Sequence, residues 1–110
     1  MKINITARHF KARNSLQKYT NDKIELLGKY NEDILFADVV LSFDKPPTNN
    51  KHCEIIIKLR DKILTTKETS EEFTKAVDKA TVKIEKQLYK YKDKNKRQRY
   101  NVDKETYKTS

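Results

Sequence analysis

One stretch, Phe73 to Lys94, constrains this chain more than any other, because it carries two different stripes along one predicted helix. Phe73, Val77, Ala80, Ile84, Leu88 and Tyr91 recur at steps of four, three, four, four and three, the spacing of a helix with one buried face. Lys75, Lys79, Lys83, Lys86, Lys90 and Lys94 recur at four, four, three, four and four, so they form a second band beside the apolar one. The carboxylates leave that band uninterrupted: Asp78, Glu85 and Asp93 are expected on the far side, and Glu71 and Glu72 in the first turn, where the helix dipole favours anions.

A chain of 110 residues is one domain, large enough for one sheet and one layer of helices. Its apolar content of 35% against 37% charged would leave it without a core if the apolar residues were scattered. They cluster in periodic runs up to Tyr91. The expected organisation is a folded domain over 1–94 and a basic, disordered tail over 95–110.

The net charge of +9 is unevenly placed. Residues 1–50 hold eight basic and six acidic side chains, whereas Lys79 to Arg99 alone hold nine basic and two acidic ones. A polyanion is the natural partner for such a segment. Cys53 is the only cysteine, which excludes an internal disulfide and a multi-cysteine metal site and fits a reducing compartment. No stretch approaches the ~20 apolar residues of a membrane span, and MKINITARHF lacks the apolar core of a signal peptide, so a cytoplasmic location is expected.

Taken in order, residues 2–7 alternate as a half-buried strand with Ile3, Ile5 and Ala7 on one side. Arg8, His9, Lys11 and Arg13 follow. Asn14 or Ser15 caps a helix to about Tyr30, with Leu16, Tyr19, Ile24, Leu27 and Tyr30 inward. Lys23 falls inside that apolar arc, so either its methylenes line the core edge or its ammonium points into the same anion site as the second helix. Residues 34–43 read as a strand with Leu35, Ala37, Val39, Leu41 and Phe43 in phase, residues 44–51 as a loop around two prolines, and residues 52–60 as a strand with Cys53, Ile55, Ile57 and Leu59 inward. Asp61-Lys62 makes a tight connection to a hairpin partner over 63–68, and Thr69 or Ser70 caps the second helix.

The order strand, helix, strand, strand, strand, helix predicts an α/β two-layer sandwich. Both helices need the same sheet face to bury their stripes, so a four-stranded mixed sheet should carry them side by side, as in a double-stranded-RNA-binding domain. Its other face should be solvated or bound to something.

Catalysis finds no support in the residue types. His9 and His52 are the only histidines, no Ser-His-acid or Cys-His arrangement suggests itself, and the single glycine, Gly28, excludes a glycine-rich phosphate cradle. No cofactor or metal is expected. The lysine band has two readings. A charge run often marks a solvated face, but solvation is served as well by mixed signs at paired spacing. Like charges along about five turns repel one another, which a bound polyanion would offset. Lysine acts as a point charge, so phosphate contact with a duplex or folded RNA fits better than base reading. Tyr89, Tyr100 and Tyr107 are available to stack on unpaired bases.

INITARH at the start, YTNDKIELLGKY in the first helix, the hairpin EIIIKLRDKILTTKE and above all AVDKATVKIEKQLYKYKDK resemble the ribosome hibernation-promoting factors, including the ribosome-associated inhibitor type described as sigma-54 modulation proteins. The likeness covers residues 2–94. It implies binding to rRNA of the small ribosomal subunit, in the channel of the mRNA and the A- and P-site tRNAs, silencing idle ribosomes in stationary phase or starvation. The matching basic positions are Lys79, Lys83, Lys86, Lys90 and Lys94 on the second helix and Lys23 and Lys29 on the first. Arg8 and Arg13 join them as rRNA-binding candidates near by. Leu26 departs from the pattern, standing where relatives often have a basic residue. The chain ends before the C-terminal dimerisation domain of long-form members, so it resembles the short form and is expected to be monomeric away from the ribosome. The other reading is a structured-RNA-binding module of the same topology with no preference for ribosomes.

Overall fold

A computed structural model describes residues 1–29 and 31–99, the side chains of 94–99 excepted. The elements are β1 (Lys2–Ala7), α1 (Asn14–Lys29), β2 (Ile34–Phe43), β3 (Lys51–Leu59), β4 (Ile63–Ser70) and α2 (Phe73–Arg99). The strands form one sheet in the order β1-β2-β3-β4. β1 pairs parallel with β2, as a strand joined through a crossover helix must, and β2, β3 and β4 follow as an antiparallel meander. This is the expected four-stranded mixed sheet with two helices.

Alternation places the core. Ala37, Val39 and Leu41 of β2 and Cys53, Ile55, Ile57 and Leu59 of β3 turn to one sheet face, where Ile24 and Leu27 of α1 and Ala76, Val77, Ala80, Ile84 and Leu88 of α2 meet them, all buried. Full burial of an Ile or Leu contributes roughly 1.5–3 kcal/mol, so the α2 stripe holds that helix to the sheet more firmly than helix propensity does. Gly28 lies beneath the Met1 side chain: a Cβ there would stand 2.6 Å from Met1 Cε, the far end of a flexible side chain that can shift to make room.

Several boundaries differ from the expectation, each for an identifiable reason. The register of β2 against β3 shifts between Ile34 and Phe36, so Ile34 is buried and Leu35 is exposed, reversing their expected phase. β4 continues through Thr69 and Ser70, which pair with His52 and Lys51, so neither caps α2. Glu71 and Glu72 stand ahead of α2, and Glu72 O accepts the Ala76 amide. Arg13 O accepts the Gln17 amide, giving Arg13 the cap position expected of Asn14 or Ser15. α2 runs to Arg99, five residues past the expected end at Lys94. Lys, Arg and Gln in NKRQR are good helix formers, and no Gly or Pro stops them. The expected disordered tail is therefore helical over 95–99, and residues 100–110, with Tyr100 and Tyr107, lie outside the described residues, as does Tyr30.

Candidate nucleic-acid interface

The lysine band of α2 lies on the flank of the helix that runs along the edge strand β4. Gln87 Nε2 donates to Thr65 O at 2.9 Å and Lys79 Nζ to Thr69 O at 3.3 Å, while Lys83 Nζ pairs with Glu68 Oε2 at 2.6 Å. Lys86 and Lys90 are exposed on the next turns, and among the described residues neither has a carboxylate partner. Lys90 lies eleven residues beyond Lys79, or about 16 Å along the helix axis at 1.5 Å per residue. The result is a nearly straight row of ammonium groups along one edge of the domain. Lys75, which begins the band, is bound by Glu72 at 3.1 Å. The Lys94 side chain lies outside the described residues.

The opposite flank of α2 faces α1. Asp78, expected on a far, solvated side, accepts the Tyr19 hydroxyl at 2.6 Å and faces Lys23 Nζ at 3.5 Å. Lys23 also stands over the Tyr19 ring, 5.6 Å from its centroid. Its half-exposed ammonium therefore lies between the helices, on the flank of α2 away from the lysine row.

Arg8 and Arg13 lie at the end of the sheet where α2 begins. Phe10 between them stacks on Phe73 at 5.0 Å and meets the edge of Phe43 at 5.6 Å, fixing the connection from β1 to α1. His9 takes a left-handed φ of 66°, uncommon outside glycine, and turns the chain sharply after β1. Arg8, His9 and Arg13 are exposed. Lys29 is exposed at the other end of α1 and lines a cleft of about 540 Å³ with Asn31, Glu32, Asp33, Leu59, Tyr91 and Lys92. The two carboxylates in that cleft moderate its attraction for an anion. Of the nine predicted residues, the structure thus brings Lys79, Lys83, Lys86 and Lys90 together along β4, places Arg8 and Arg13 at the end of the domain where α2 begins but beside the opposite edge strand, β1, and sets Lys23 and Lys29 apart.

Sequence reasoning missed a polar chain on the sheet: His52 Nε2 lies 2.8 Å from Asp44 Oδ1 and Nδ1 lies 2.7 Å from Thr69 Oγ1. The hydrogen bond with His52 lowers the Asp44 carboxyl below its ordinary value. Asp44 also holds Asn50 through its backbone amide and its carboxylate, so the chain closes the loop between β2 and β3 and pins it to β4. The residues come from three separate segments, and no spacing in the sequence announces them. Among the described residues no group of His, Cys, Asp or Glu is arranged to hold a metal ion, and no helix is long and apolar enough to cross a membrane.

The family described as Sigma 54 modulation protein / S30EA ribosomal protein matches residues 3–96. No curated protein matches the sequence significantly. Among solved structures, a ribosomal subunit interface protein from Coxiella burnetii is similar with a TM-score of 0.77 and 24% identity, over 84% of this chain and 99% of that one. The N-terminal domain of Thermus thermophilus Protein Y is similar with a TM-score of 0.72 and 24% identity, over 83% and 99%. At that identity the structures establish the fold.

Proposed function

Because the chain belongs to the Sigma 54 modulation protein / S30EA ribosomal protein family, we propose that it is a ribosome-associated modulation factor that binds rRNA of the small subunit through the lysine row of α2. The observation that carries this reading is the four-lysine row on the exposed flank of α2, within a family match that spans both helices and the whole sheet. Lys79, Lys83, Lys86 and Lys90 neutralise successive phosphates, with Arg8 and Arg13 extending the contact past the N-terminal end of α2. Lys94 continues the row in sequence. Lys29 and Lys23 contribute less, one beside carboxylates and the other bound to Asp78.

The folded body then occupies the path of mRNA and of the A- and P-site tRNAs and silences idle ribosomes in starvation or stationary phase. The action is steric and electrostatic, and no bond is broken. The protein works in the cytoplasm and is monomeric off the ribosome. Six phosphate contacts give a log affinity versus log salt slope of roughly −4 to −5.

Sedimentation of the purified protein with isolated small subunits, with and without initiator tRNA and mRNA across a salt series, tests this. Saturable binding that tRNA displaces and salt weakens at about that slope is expected. Weak binding indifferent to tRNA would reduce the protein to a structured-RNA binder without preference for ribosomes.

A further inference from the structure

The helices cover one face of the sheet, and the other face carries a pattern that the lysine row does not use. Lys2, Phe36, Lys58 and Ile63 stand side by side across all four strands, since Lys2 pairs with Phe36, Phe36 with Lys58 and Lys58 with Ile63. Their chain neighbours Ala37, Ile57, Leu59 and Leu64 are buried in the core, so these four side chains project from the open face. Phe36 and Lys58 are half-buried, Lys2 is exposed, and Ile63 is 55% exposed. Directly opposed residues in a sheet have Cβ atoms about 4.5–5.5 Å apart, so a lysine side chain stands on each side of Phe36.

We propose that this end of the open face is a binding site for single-stranded RNA, in which a base stacks on Phe36 and the flanking phosphates meet Lys2 and Lys58. The chemistry is that of a sequence-tolerant single-strand site, where an aromatic platform is bracketed by cations. A four-stranded sheet with helices on its back presents its open face in the same way to splayed bases. Neighbouring rows bound the site. Asp38, one row along, accepts Asn4 Nδ2 at 3.1 Å, and Glu54, a further row along, stands in register with Lys67. Asp38 repels a backbone from the adjoining row and Glu54 offsets Lys67 in the next, whereas the row of Lys2, Phe36, Lys58 and Ile63 holds two lysines and no carboxylate. A duplex cannot offer an unstacked base to Phe36, so the site selects single strands, whereas the α2 row attracts any phosphate backbone.

The test is fluorescence anisotropy with a labelled single-stranded oligouridylate and, in parallel, an RNA hairpin without a long loop, against the wild type and Phe36→Thr, Phe36→Tyr and Lys2→Gln. Stacking of one base predicts that Phe36→Thr weakens the single strand about tenfold and leaves the hairpin unchanged. Phe36→Tyr keeps the platform and should bind as wild type, and Lys2→Gln should weaken the single strand a few-fold and flatten its salt dependence by about one contact. Lys2 is exposed near the chain terminus, so this last variant reads binding with the fold intact. Unchanged affinity for the single strand in both Phe36→Thr and Lys2→Gln, or an equal loss on both RNAs, would overturn the proposal. Loss of ribosome binding in a variant of the α2 row, with single-strand binding retained, separates this site from that one.

Discussion

Lys83 Nζ lies 2.6 Å from Glu68 Oε2, across the seam where α2 rests on β4. Among the described residues Glu68 is the one carboxylate that reaches the lysine row from the sheet, and its side chain is only 18% exposed, whereas that of Lys83 is 61% exposed. The row therefore contains an internal competitor for its second cation. An anion that engages Lys83 must do so beside a carboxylate.

Removing that competitor should strengthen RNA binding. Glu68→Gln is expected to raise affinity, because Lys83, one of the six phosphate contacts, no longer shares its charge with a carboxylate, and to steepen the log–log salt slope by no more than about 0.7–0.9, the weight of one full contact. The stability lost with the ion pair is about 1 kcal/mol or less, because the lysine end of the pair is solvated. Unchanged affinity in the variant would show that Lys83 stays out of the contact.

Lys86 and Lys90 carry the opposite prediction, since no carboxylate among the described residues restrains them. Lys86→Glu with Lys90→Glu replaces two attractions by two repulsions on an exposed flank. Co-sedimentation with small subunits should be lost at moderate salt, while circular dichroism and the melting temperature stay close to wild type. Normal co-sedimentation would mean that the row is only a solvated face.

The parts of this arrangement that could be read in the sequence are those governed by local period. Val77, Ala80, Ile84 and Leu88 are buried as their spacing requires, and Cys53, Ile55 and Ile57 alternate inward as a half-buried strand must. What escaped the reading depended on a neighbour. Asp78 lies well off the apolar stripe and looks solvated on an isolated helix, yet α1 packs on that flank and supplies Tyr19 and Lys23. Ile34, Leu35 and Phe36 are all apolar, so only the pairing of Ile34 with Leu59 decides which of them enters the core. Glu68 faces Lys83 because β4 runs beneath α2, a relationship between residues fifteen apart that no periodicity encodes. The end of α2 is hidden for another reason: residues 95–99 carry helix propensity without an apolar stripe, and amphipathic spacing is blind to such a segment.

The contact between Tyr19 and Asp78 makes the packing of the two helices sensitive to alkaline pH. Its hydrogen bond, reinforced by burial and by the charge of Asp78, raises the Tyr19 phenol above its ordinary value of 10.0. A group raised on folding adds stability that is fully present below the unfolded value and is lost as pH climbs through the folded one. Tyr19→Phe should therefore be less stable than wild type at about pH 8, and the difference should shrink above about pH 10. Urea titrations of both proteins across that range check this. A difference constant with pH would indicate that only packing is lost.

Cys53 offers a readout of global stability. Burial pushes its thiol up to about 12, with the Glu54 charge adding to the effect, and its side chain is wholly enclosed between sheet and helices. Near neutral pH the thiolate is then negligible in the folded state, so a disulfide-exchange reagent reacts only after opening. Labelling should be slower than in the urea-unfolded chain by about 10³ or more, in line with ordinary domain stability. Labelling at the unfolded rate in native buffer would contradict this burial.

Thr20 carries the last prediction. It sits fully buried in α1 against the sheet, and its Oγ1 has no hydrogen-bond partner among the described residues. A buried hydroxyl left without a partner costs roughly 1–3 kcal/mol, and valine reproduces the threonine shape without it at nearly the same helix propensity. Thr20→Val should therefore stabilise the domain by about 1 kcal/mol and raise the melting temperature by about 4 °C or more. Thr20→Ser retains the hydroxyl and removes the methyl group, so it should destabilise by about 1 kcal/mol through lost burial and the small cavity it leaves. If valine destabilises and serine is neutral, the hydroxyl rather than the methyl is what this site needs.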